Sequence, residues 1–288
     1  MSNFNPCTDS YKILCWHLTK KCTQNCEFCL SQSNSLNKIN DLKEYKKIIN
    51  IIKELGFDKI SYSGGEPFIV PIFEELVNYG KELKLTQIVT TNGDCLSKGL
   101  KNIEFLKKFQ YIKLSFYGLQ NYHDQLIKKG HFQQLINLLH ILQSNTVKVG
   151  INYMLTKQSY FELPYFLEYI SKFRLYNLLI QSYIPTGNFK IDNKYQINDE
   201  SNINLSFLSS YKYNFEQGIK YFNYNIKEGF QVILDEKLNL YFPNQNIFEY
   251  GNIFETEKYF EGLGIIYLKE LIEHTVQKRI SSNSIIIY

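Results

Sequence analysis

Between Ile13 and Ile184 six short apolar runs alternate with longer segments of helical period, and few folds accommodate that alternation. The runs are ILCWHL (13–18), KISYS (59–63), TQIVTT (86–91), YIKLSF (111–116), VKVGINYML (147–155) and NLLIQSYI (177–184). Leu42, Tyr45, Ile48, Ile49, Ile52 and Leu55 recur at steps of three and four, one face of a helix that Gly56 ends. Helical patterns follow at 72–83, 102–109, 132–142 and 160–173. The order predicts an α/β fold, a parallel sheet with helices outside, curved into a partial (βα)6 TIM-like barrel. Such barrels bind their ligands at the C-terminal ends of the strands. After Gly187 a polar stretch, NFKIDNKYQINDESN, reads as a linker; the remainder reads as a helix or two, with aromatics after position 205 at helical spacing, a hairpin (FQVILDEKLNLYF) and a C-terminal helix through Arg279. The expected organisation is an N-terminal extension (1–12), the barrel core (13–188) and a small C-terminal α+β cap that binds substrate (189–288).

At 288 residues, with 44% apolar and 16% aromatic content, the chain can bury a large core. The net charge of +4 is spread among interspersed acids and bases, so there is no nucleic-acid patch and no polybasic membrane anchor. The opening MSNFNPCTDSYK lacks the form of a signal peptide, and no apolar stretch is long enough to span a bilayer. A cytoplasmic location is expected, where thiols stay reduced and clustered cysteines read as metal-binding or catalytic.

Such a cluster follows the first strand: CTQNCEFC brings Cys22, Cys26 and Cys29 within eight residues. A structural zinc wants four closed ligands, commonly two separated pairs; here there is one triad, with His17 as a conceivable fourth ligand on the predicted strand. Three thiolates suit a cubic iron–sulfur cluster whose fourth iron stays open to an exchangeable ligand.

The C-x3-C-x2-C spacing, with Phe28 before the last cysteine, resembles the signature of radical S-adenosylmethionine (SAM) enzymes. SGGEP (63–67) follows the second predicted strand, where that family carries a GGE motif. There Gly64 and Gly65 let the backbone approach a ligand, and Glu66 can accept from a methionine ammonium. TTNG (90–93), with Asn92, follows the third strand, and LSFYG (114–118) places Ser115 where the family often has a ribose contact. Asn152 falls on the fifth strand, and YIPTG (183–187), with Pro185, ends the sixth like the segment along the adenine. Taken one at a time these residues also read as ordinary turns and strand polars; the ordered set carries the resemblance. In HDQLIKKG (123–130) Lys129 stands where the family commonly has an arginine for the SAM carboxylate, which keeps the charge and loses the bidentate fork. The resemblance implies one [4Fe-4S] cluster on Cys22, Cys26 and Cys29, with SAM on the open iron. It also implies reductive cleavage to a 5'-deoxyadenosyl radical that abstracts hydrogen, with electrons from a flavodoxin- or ferredoxin-type donor.

LSFYGLQNYHDQLIKKGHF and the tail VILDEKLNLYFPNQNIFEYGNIFE resemble the SPASM branch, many of whose members modify ribosomally made peptides. Asn244 stands where that branch has a cysteine, and no cysteine follows Cys95, so an auxiliary cluster in the C-terminal region is not expected. The implied activity is oxidoreductase- or lyase-type radical chemistry on a peptide or protein. The alternatives are a viperin-like enzyme acting on a nucleotide or other small molecule, and a degenerate binding protein that keeps the cluster. Cys95 is a candidate hydrogen-atom donor, although a lone cysteine is more often a small apolar residue.

Overall fold

The computed structural model describes residues 13–29, 41–99, 102–183, 195–197, 203–211 and 214–222, together with the strand backbone of 232–234, 239–243, 247–252 and 285–287. In chain order the elements are β1 (Ile13–Thr19), α1 (Leu42–Glu54), β2 (Lys59–Gly64), α2 (Phe73–Glu82), β3 (Thr86–Thr91), α3 (Asp94–Lys98) and α4 (Ile103–Leu106). Then come β4 (Tyr111–Phe116), α5 (Gln120–Leu126), α6 (His131–Ser144), β5 (Val149–Leu155), α7 (Lys157–Ile170) and β6 (Leu178–Ser182). The last are β7 (Ile219–Phe222), β8 (Val232–Leu234), β9 (Asn239–Pro243), β10 (Ile247–Asn252) and β11 (Ile285–Ile287). The fold is α/β, a partial TIM-like barrel built on the six expected parallel strands. The chain divides into two compact units, Met1–Lys21 with Asn34–Val89 and Asn225–Ser284, and Cys22–Ser33 with Thr90–Tyr224 and Ile285–Tyr288.

In the first unit β1 pairs parallel to β2, and β2 to β3. Helix α1 starts where Asp41 accepts a hydrogen bond from Lys43 N at 2.9 Å, and it buries Tyr45, Ile48, Ile49 and Ile52, the face expected from the sequence. Each such aliphatic side chain contributes about 1.5–3 kcal/mol relative to exposure. Trp16 packs against Tyr45 and Tyr62 at centroid distances of 5.6 and 6.0 Å. The buried Tyr62 hydroxyl donates to Gln87 Oε1 at 2.7 Å, and Gln87 Nε2 donates to the Val77 carbonyl at 2.8 Å, so the polar groups inside this core are paired. The hairpin expected from FQVILDEKLNLYF is present: β8 pairs antiparallel to β9, and β8 also lies parallel to β1.

In the second unit β4, β5, β6 and β7 pair parallel in that order, and β11 closes antiparallel on β7. Helix α7 opens with a reciprocal capping box between Thr156 and Ser159 and carries Pro164 in its interior. The aromatic stretch after position 205, whose spacing reads as helical, instead forms a short 3-10 turn (Ser206–Ser210) and β7. Ile219 and Tyr221 are buried there, and a β-branched residue alternating with aromatics suits a strand against β6 better than a helix. The expected C-terminal helix through Arg279 lies outside the described residues.

The register of β1 on β2 slips between His17 and Thr19, which brings Gly64 opposite Thr19. Gly64 sits at φ +109°, and a Cβ there would strike the Thr19 carbonyl; a Cβ on Gly65 would strike the Lys21 carbonyl. Both glycines therefore let β2 end against the backbone that leads into Cys22. Gly64→Ala is expected to lower unfolding free energy by more than about 1 kcal/mol, measured by urea titration.

Candidate functional site

Cys22, Cys26 and Cys29 lie on the loop after β1, each partly exposed, with a turn closed by Cys29 N donating to the Cys26 carbonyl at 3.2 Å. Burial, followed by the charges of Cys29 and Cys22, pushes the Cys26 thiol up to about 12. A thiol held there stays protonated at neutral pH unless a cation meets the sulfur, as coordinated metal does. Among the described residues no three His, Cys, Asp or Glu side chains converge on a single ion. A polynuclear cluster asks less, because it distributes its thiolates over several irons. Three mutually repelling sulfurs on one loop fit such a cluster.

Beneath the loop lies a buried polar network that sequence reading touched only at Asn92. Asp94, the first residue of α3, has no exposed surface and accepts from Lys128 Nζ, from Gln134 Nε2 at 3.0 Å and from Gln24 Nε2 at 3.3 Å. Burial pushes its carboxyl up, but the hydrogen bonds from Lys128 and Gln134 and the Lys128 charge outweigh that and hold it at about 2. Gln24 lies on the cysteine loop itself, 2.9 Å from His131 Nε2 and 3.6 Å from Cys26 Sγ. His131 and His123 are fully buried and stacked, with His123 Nε2 2.7 Å from His131 Nδ1 and Tyr117 N donating to His123 Nδ1 at 3.3 Å. Asn92 Nδ2 donates to Cys22 Sγ at 3.3 Å, and the Asn92 carbonyl lies 3.1 Å from His131 Nε2. A signal for this network was present in HDQLIKKGH, where two histidines and two lysines crowd one helix-to-helix turn, but nothing local shows that they fold inward.

Phe28 is buried between rings, 4.7 Å from Tyr117 and 6.0 Å from Tyr195, and it forms a cluster with Tyr183 and Tyr195. Tyr117 also belongs to the site, although sequence reading singled out Ser115 in the same stretch. Burial first, then Cys26 and Cys29, raise its phenol well above the ordinary value, while a hydrogen bond with Ser115 lowers it. Ser115 and Asn152 are register partners on β4 and β5 and so share a face of the sheet. Cys95 follows Asp94 on α3 and is half-buried. Lys129 is exposed, and the lysine the structure brings to buried charge is its neighbour Lys128. Glu66, in the first unit, is fully buried and caps the short 3-10 turn Pro67–Ile69 by accepting from Phe68 N at 3.1 Å. Pro185 lies outside the described residues.

A cavity of about 860 Å³ opens beside the cysteine loop in the second unit. Asn25, Glu27, Asn121, Tyr122, Gln125, Leu126, Gln158, Glu162 and Tyr195 line it: four carboxamides, two phenols, two carboxylates and one aliphatic side chain. Glu27 accepts from Tyr195 at 2.9 Å, and Glu162 from Leu119 N at 2.6 Å.

Residues 16–170 match the model of the Radical SAM superfamily, more than half of the chain, and the protein belongs to that family. Membership implies SAM and an iron–sulfur cluster. The Fe-coproporphyrin III synthase of Methanosarcina barkeri is 27% identical over 164 residues, 54% of this chain and 40% of that protein. The S-adenosylmethionine-dependent nucleotide dehydratase of Flammeovirga pacifica is 28% identical over 158 residues, 48% of this chain and 53% of that protein. The chain thus spans about half the length of these two curated relatives, both enzymes by name. Among solved structures, SuiB of Streptococcus suis bound to its precursor peptide SuiA has the same fold, with a TM-score of 0.67 at 20% identity over 90% of this chain and 67% of that one. No helix among the described residues is long and apolar enough to cross a membrane.

Burial, then the neighbouring His131, lowers His123 to about 3, so the folded protein keeps this imidazole neutral where the unfolded chain would protonate it near pH 6.5. Stability of the metal-free protein is expected to be full above that pH and to fall as pH drops toward 3, by up to about 1.4 kcal/mol per pH unit. Asp94, depressed instead, loses its contribution at lower pH, between about 4 and about 2. Urea unfolding across pH should show the upper window shrink in His123→Gln and the lower one persist.

Proposed function

We propose that the protein is a radical SAM enzyme that modifies a ribosomally made peptide or protein, using one [4Fe-4S] cluster on Cys22, Cys26 and Cys29. When bound, cluster and SAM supply a 5'-deoxyadenosyl radical after one-electron reduction by a flavodoxin- or ferredoxin-type donor. In this reading Gly64, Gly65 and Glu66 receive the methionine end of SAM, Ser115 and Asn152 the ribose, Lys129 the carboxylate and Pro185 the adenine side. Phe28 and Asn92 complete the cofactor-binding set. Cys95 is a candidate hydrogen donor, residues 189–288 serve substrate binding and capping, and a reducing cytoplasm keeps the thiols reduced.

The observation that carries the substrate class is the lining of the cavity. Glu27 and Glu162 lie on its wall, and none of the described lining residues is Lys or Arg. Two carboxylates repel a triphosphate or a polycarboxylate ring, while carboxamides and phenols supply the donors and acceptors that a peptide backbone needs. The fold neighbour SuiB, seen with its precursor peptide, supports the same class. The nucleotide dehydratase relative keeps a nucleotide as the second candidate.

Anaerobic reconstitution with iron and sulfide, then SAM and dithionite, is expected to give 5'-deoxyadenosine, and Cys26→Ala to give none. Candidate precursor peptides should raise that yield, and nucleoside triphosphates should leave it unchanged. Stimulation by a triphosphate would reverse the substrate assignment, and a loaded, reduced cluster without product would favour a non-catalytic binding protein.

A further inference from the structure

Resting on the cluster reading above, we propose that Asn92 sets the reduction potential of the cluster through a hydrogen bond to Cys22, rather than serving only as a turn residue after β3. The orientation of its carboxamide follows from chemistry. Asp94 N lies 2.9 Å from Asn92 Oδ1, and a backbone N–H can only donate, so the oxygen must face it. That leaves the NH2 group toward Cys22 Sγ, at 3.3 Å, and toward Thr23 Oγ1, at 3.1 Å. Gln24 N adds a second donor to the same sulfur at 3.4 Å. Among the described contacts neither Cys26 nor Cys29 receives a side-chain N–H, and the group facing Cys26 is the Gln24 carboxamide oxygen. The three sulfurs are therefore unequal, and Cys22 is the one built to carry extra negative charge.

The position is held from below. Asn92 is only 8% exposed, its carbonyl lies against the fully buried His131, and the turn it caps starts with Asp94, itself pinned by Lys128 and Gln134. An N–H directed at a cluster sulfur stabilises the reduced, more negative state and raises the potential. A cluster that must be reduced before SAM is cleaved accepts its electron more readily with that bond than without it.

The test uses Asn92→Ser and Asn92→Asp, both of which keep an oxygen for Asp94 N–H and remove the carboxamide N–H that faces the sulfur. The readout is the midpoint potential of the reconstituted protein by redox titration followed by electron paramagnetic resonance, at iron and sulfide contents matched to wild type. Both variants are expected to titrate at lower potential, Asp lower than Ser because a carboxylate would face the thiolate. Unchanged or higher potentials at equal loading would overturn the assignment and leave the cluster reading standing. Loss of iron from both variants would make Asn92 a scaffold for the loop and overturn it as well. A wild-type protein that takes up no cluster would overturn the cluster reading and this inference together.

Discussion

A carboxylate with no exposed surface organises the second unit. Asp94 keeps its charge because Lys128, Gln134 and Gln24 converge on it, and each of these comes from a different segment of the chain. An ionised group without such partners would cost several kcal/mol or take up a proton. The requirement to satisfy it fixes the cysteine loop through Gln24, the α5–α6 turn through Lys128 and α6 through Gln134. An apolar residue at position 94 would take away the acceptor that Gln24, Lys128 and Gln134 share.

The same network joins structure to chemistry. Parallel pairing in β4 to β6 sends every strand-to-helix connection of that unit to one edge, so Tyr117, Asn121, Tyr122, Gln158 and Glu162 all come from the segments that follow β4 and β5. The cysteine loop after β1 lines the same cavity through Asn25 and Glu27. Phe28 links them, since the ring that precedes Cys29 packs on Tyr117 and Tyr195, and Tyr195 also lines the cavity. In the first unit Gly64 and Gly65 play a quieter part: they let β2 end against the strand that runs into Cys22.

Much of this was legible in the sequence. The strands at 13–19, 59–64, 86–91 and 111–116 and the helix from Leu42 fall where short apolar runs and helical period put them, because the strands are buried on both faces and the helix on one. The C-x3-C-x2-C triad and SGGEP after the second strand carried the resemblance to the family that residues 16–170 match. Strand β7 was hidden because Tyr and Phe at mixed spacing suit helix and strand alike, and pairing with β6 decided between them. His123, His131 and Lys128 were hidden for another reason: polar residues in a turn look solvated until tertiary packing buries them.

By itself the sequence determined the order of the six expected strands, the helix from Leu42, the three thiols and the glycines that end β2, because those depend on local period, spacing and the absence of a Cβ. Only the tertiary structure decided that Asn92 faces a sulfur, that Lys128 rather than Lys129 meets a buried charge, and that the cavity wall carries carboxylates without a described cation. Those properties arise from residues tens of positions apart, and a buried polar group reveals its partner only when water has been removed from around both.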